Sequence, residues 1–106
     1  GIAGSQYLKS SGLEAKVKEK LLVAATVPQV NTYIATGEVD AGFSNLTDTM
    51  GIADKIGGYI VIEEGYGEIP IVSAFLKGSE ANPAAVKLQK CFADKSLAEI
   101  AKKHGL

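Results

Sequence analysis

What most constrains this chain is the order of its segments: short apolar runs alternate with stretches of helical period, and the handovers carry helix-capping residues, prolines and glycines. The clearest handover is "LLVAATVPQ", residues 21–29. Its apolar run, "LLVAA" (21–25), is short enough to be a buried strand. It meets Thr26, a capping residue type, and then Pro28, which suits the first turn of a helix. Val30, Tyr33 and Ile34 follow at helical spacing, and Gly37 ends the pattern. "VDAGFS" (39–44) then reads as a strand. Asn45 and Thr47 can cap a helix holding Leu46, Met50, Ile52 and Ala53.

The rest of the chain repeats this alternation. "SQYLKSS" (5–11) predicts a short helix stopped by Gly12, and "LEAKVKEKLL" (13–22) places Leu13, Val17 and Leu21 on one helical face. "YIVIEE" (59–64) and "IVSAFLKG" (71–78) read as strands around the loop "EGYGEIP" (64–70). Pro83 opens a helix with Val86, Leu88, Cys91 and Phe92 on its apolar face. Ser96, with Glu99 three positions on, reads as the capping box of the last helix. Helices alternating with strands predict an α/β fold, a mixed and mainly parallel sheet flanked by helices.

Bulk composition narrows the function. With 106 residues, 46% apolar and 22% charged, the chain has the make-up of an ordinary globular domain. Its net charge of −1 is interspersed, so no basic field exists to hold DNA or RNA. No apolar run approaches the roughly 20 residues needed to span a bilayer. No signal peptide opens at Gly1, although a mature chain would have lost one. One cysteine, Cys91, and one histidine, His104, exclude an internal disulfide and a Cys/His zinc site built from this chain alone. Cys91 reads as a small buried hydrophobe, Met50 as core, and Tyr7, Tyr33 and Tyr59 as half-buried packing residues.

Catalytic patterns are absent. Glu63, Glu64 and Glu68 read as solvated loop charges rather than paired acid and base. "GYG" (65–67) lacks the spacing of a phosphate-binding loop. Two strand-to-helix junctions remain, Thr26–Val27 and Ser44–Asn45. Helix N-termini offer free N–H groups and the positive end of the dipole, so each junction can hold an anion. Each can equally be an ordinary cap, since every helix start must satisfy its first N–H groups. Neither junction contains an Arg or Lys, which suits a tetrahedral dianion held by neutral donors and argues against Arg-forked carboxylate binding.

The ordered set "GIAGSQYLKSSGL", "VKEKLLVAATVPQVNTYIATGEVDAGFSNLTD", "EIPIVSAFLKGSEANPAAVKLQKCF" and the closing "KKHGL" resembles the C-terminal part of the periplasmic molybdate-binding proteins, the solute receptors of ABC importers. The resemblance runs over essentially the whole chain. It implies the two-lobed periplasmic-binding-protein-like fold, with residues 1–68 part of the second, inserted lobe. Residues 69–106 would supply the hinge return strand and the C-terminal helices of the first lobe. The family's first-lobe serine ligands would lie upstream. By position, the family's donating backbone N–H falls on Val27, and another backbone contact falls at the edge of the chain beside Gly1. A family tyrosine hydroxyl falls on Asn45, whose shorter amide is also a donor. With Thr26 and Ser44 beside them, these residues form the implied ligand-binding set.

The implied function is binding without chemistry. The chain would be the solute-binding component of an ABC importer, taking molybdate or tungstate, without cofactor or metal. It would work in the periplasm or anchored at the cell surface, with the permease and ATPase subunits as partners. A receptor for another anion such as sulfate, or a ligand-sensing regulatory domain of the same fold, is the alternative. A regulatory domain would carry an upstream helix-turn-helix, and an enzyme a nucleophile–base pair. If the chain stands alone, its exposed strand edges predict self-association or exchange of elements between copies.

Overall fold

The computed structural model describes residues 1–106, and all of its regular structure is helical. Six α-helices follow in order: α1 (Ile2–Ser10), α2 (Glu14–Val17), α3 (Val27–Thr36), α4 (Leu46–Gly51), α5 (Pro83–Phe92) and α6 (Lys95–Lys103). Three single 3-10 turns lie between them, Lys18–Lys20, Ala53–Lys55 and Ser79–Ala81. The chain divides into two compact units, Gly1–Ile69 and Pro70–Leu106.

The α/β expectation is therefore overturned: no strand forms, and neither the mainly parallel sheet nor the two-lobed fold built on it is present. A strand exists only through ladder bonds to a neighbour. The segments read as strands, 21–25, 39–44, 59–64 and 71–78, make no ladder with one another. Helix bonds, by contrast, close within four residues and need nothing from elsewhere. The apolar runs had the composition of strands but find no partner segment, so they remain irregular connections.

In the first unit, α1 buries Gly4 and Leu8, one turn apart. Phe43 lies so close to Gly4 that a Cβ there would sit 2.9 Å from its ring. Phe43 also meets Tyr7 edge-on, with ring centroids 5.9 Å apart. The 64–67 loop is tied to the same helix by two bonds. The Ser10 hydroxyl donates to the Gly65 carbonyl at 2.8 Å, and the Gly67 N–H donates to Gln6 Oε1 at 2.9 Å. Gly65, at φ +88°, takes the left-handed turn that this loop requires. Helices α3 and α4 pack on each other.

In the second unit, Asn82 caps α5, its side chain accepting from Ala84 N–H at 2.9 Å, and Pro83 fills the first helical position. The cap of α6 is Asp94, not Ser96. Its carboxylate accepts from both the N–H and the hydroxyl of Ser96 at 2.9 Å. Two neighbouring cap formers compete here, and the aspartate reaches two donors where serine reaches one. A groove of about 250 Å³ beside α5 is lined by Phe75, Leu76, Leu88 and Phe92. Two burial expectations also fail: Cys91 and Met50 are exposed. Without a sheet to pack against, the apolar faces of these helices stay uncovered.

Candidate functional site

The start of α3 is built by two local hydrogen bonds. Thr26 Oγ1 accepts from the Gln29 N–H at 3.3 Å, while Gln29 Oε1 accepts from the Ala25 N–H at 2.9 Å. It differs from a capping box in that the glutamine three positions on reaches the N–H of Ala25, before the cap, and not that of Thr26 itself. Gln29 is itself held, donating from Nε2 to the Tyr33 hydroxyl at 2.7 Å. Pro28 has no N–H to give. Two adjacent backbone donors, the N–H groups of Thr26 and Val27, are left without an acceptor in the chain. They sit at the positive end of a ten-residue helix.

The second junction is organised differently. Asn45 caps α4, its Oδ1 accepting from the Asp48 N–H at 2.7 Å. The other end of the same amide is occupied as well, since Nδ2 donates to Asp48 Oδ2 at 2.9 Å. Asn45 therefore holds the Asp48 carboxylate at the start of α4. Both polar ends of its side chain are engaged within the chain.

Ser44 links the two junctions. Its hydroxyl donates to Asn31 Oδ1 on α3 at 2.6 Å. The approach is permitted by Gly42. A Cβ there would lie 2.8 Å from Val30 Cγ1 and 2.9 Å from Ile34 Cδ1, so only glycine lets residues 42–44 run this close to α3. Asn31 is one of two buried polar residues, with 9% of its surface exposed. Gly1 stands apart from this group: it is exposed and serves as the N-cap of α1.

Of the residues singled out in the sequence, Thr26, Val27, Ser44 and Asn45 thus fall on two junctions joined by one hydrogen bond, and Gly1 is not bonded to either. Asn31 was missed. The signal was a lone amide between Val30 and Ile34, on the face that otherwise reads as apolar. No lysine or arginine occurs in residues 24–34 or 39–49, and the charges present are Asp40 and Asp48. No three His, Cys, Asp or Glu side chains come together as metal ligands. No helix is long and apolar enough to cross a membrane.

The family model described as bacterial extracellular solute-binding protein matches residues 1–106. The chain is also 29% identical over 107 residues to the molybdate-binding protein ModA of Azotobacter vinelandii. That alignment covers 99% of this chain and 42% of the relative, so the chain spans less than half of that protein's length. No solved structure matches the chain.

Proposed function

The chain belongs to the bacterial extracellular solute-binding protein family, and from that premise we propose that it is the solute-binding part of an ABC importer for a tetrahedral oxyanion, with molybdate or tungstate favoured. The family is one of binding proteins, not enzymes. The observation that carries the reading is the pair of unengaged N–H groups at Thr26 and Val27, on the positive end of α3 and with no lysine or arginine in residues 24–34 or 39–49. Backbone donors at a helix start suit an anion with several equivalent oxygens. Neutral donors let such an anion leave again, as a receptor's cargo must. The similarity to a molybdate-binding protein supports that class of anion.

In this reading Val27 donates to the anion and Thr26 holds the helix start open. Ser44 fixes the second junction to the first. Asn45 shapes that junction as the cap of α4, with one N–H of its amide given to Asp48. The partners would be the permease and ATPase of the importer, and the place of work the periplasm or the outer cell surface.

Calorimetric titration with molybdate, tungstate, sulfate and phosphate tests the proposal. Saturable binding of the first two, with sulfate and phosphate silent, is the expected result. Binding of sulfate alone would make the chain a receptor for another anion, and silence from all four would return the α3 start to the role of an ordinary cap.

A further inference from the structure

We infer that Asn31 is an additional anion donor of this site, aimed by Ser44; the inference rests on the oxyanion reading above. Three observations converge on it. First, Asn31 is nine-tenths buried, yet only its Oδ1 is engaged, by the Ser44 hydroxyl at 2.6 Å. No bond within the chain engages Nδ2, and no fully buried side-chain nitrogen or oxygen lacks a partner, so Nδ2 must reach solvent. A buried amide that keeps two N–H donors on an open side is poised toward whatever fills that side.

Second, the orientation of the amide follows from its bond to Ser44. With Oδ1 taking the Ser44 proton, the nitrogen end is turned away from Ser44. Ser44 spends its proton in doing so, which makes it a positioning residue rather than a donor to the ligand. Third, Asn31 lies four residues after Val27 on α3. Residues at i and i+4 share a helix face, and helical side chains lean toward the N-terminus. The carboxamide of Asn31 therefore leans along α3 toward the turn whose first N–H groups are unengaged. Val27 and Asn31 stand about 6 Å apart along the axis of α3, so one anion at the helix start lies within the range of neutral donors from both. Asn45 has less freedom, because both ends of its amide are held in place by Asp48.

The test is a molybdate titration of the protein and of Asn31→Asp, Asn31→Ala and Ser44→Ala, with thermal unfolding of each without anion. Asn31→Asp keeps the acceptor for Ser44 but replaces the donor with a negative charge. It should lose at least about 100-fold in molybdate affinity at pH 8, with the unfolding scan showing the variant folded at the titration temperature. Asn31→Ala should lose about 10-fold. Ser44→Ala should lose less than Asn31→Ala, and Ser44→Thr, which keeps the hydroxyl, should restore affinity. In a 15N-labelled sample, the side-chain NH2 resonance missing from the spectrum of Asn31→Asp should move when molybdate saturates the parent. Parent-like affinity in both Asn31 variants, or an NH2 resonance that ignores molybdate, would overturn the role of Asn31 and leave the oxyanion reading intact. A parent protein that binds no molybdate or tungstate would overturn both.

Discussion

Val27 offers the cleanest single-residue test of the binding proposal, because its contribution is a backbone N–H that side-chain substitution leaves in place. Proline removes it. Val27 is the first residue of α3, where proline's fixed φ is tolerated, and Thr26 before it is extended, as a residue preceding proline prefers. Val27→Pro should keep α3 and weaken molybdate binding by about 10- to 100-fold, the worth of one hydrogen bond to a charged group. Calorimetry gives the affinity and circular dichroism the helix. Gly42 is the second informative position. Gly42→Ala drives a methyl against Val30 and Ile34. The end of Ile34 can swing aside, but Val30 is β-branched and stiff, so α3 must shift. A loss of about 1–3 kcal/mol in urea unfolding is expected, in line with overpacking elsewhere.

At the scale of elements, the caps decide where each helix begins, and they respond differently to substitution and to acid. Thr26→Ala should cost about 1 kcal/mol of stability, since the Gln29 N–H loses its acceptor. Asp94 adds a pH dependence. The Ser96 N–H, and then the Ser96 hydroxyl, hold its carboxyl below the usual aspartate range. A depressed folded value means that the cap's contribution is complete above the ordinary aspartate range and is lost as pH falls through the lowered one. Ellipticity at 222 nm should fall in that acid window, and Asp94→Asn, which caps without titrating, should abolish that part of the change. These elements also show what the sequence made legible. The starts at Thr26 and Asn45 and the stop at Gly37 were readable, because capping is settled within four residues of chain. Asp94 was missed because two cap formers stand two positions apart, and only geometry chooses between them. The sheet was misread for a deeper reason. "YIVIEE" and "IVSAFLKG" have strand composition, but composition says nothing of whether a second segment is there to pair with. The candidate site was legible as far as its two junctions and no further. The Ser44–Asn31 bond that joins them spans thirteen positions and depends on the bare backbone of Gly42.

At the scale of the whole molecule, surface area carries the argument. The chain exposes 8881 Å². A folded protein of 11.0 kDa exposes roughly 5,600 Å², so roughly 3,300 Å² is in excess. Much of it is apolar and falls on the segments that lack a ladder: Val23 is 90% exposed, Ile60 89%, and Val72 and Leu76 82% each. The same segments carry N–H and C=O groups without backbone partners, which is the chemistry of an open strand edge. A standard interface between proteins takes about 800 Å² from each partner, well within this excess. The 106-residue chain on its own should therefore associate with copies of itself, and the segments that are irregular here should pair between copies. Light scattering at micromolar concentration should return a mass at least twice 11.0 kDa that falls on dilution. Infrared spectra of the associated form should show an amide band for β-structure that the isolated chain lacks. Aspartate in place of both Ile60 and Val72, which touches neither junction of the candidate site, should shift the equilibrium toward monomer. A parent chain that stays monomeric through high micromolar concentration would show that 60 and 72 lie on no self-recognition surface, and that the excess area is tolerated in water.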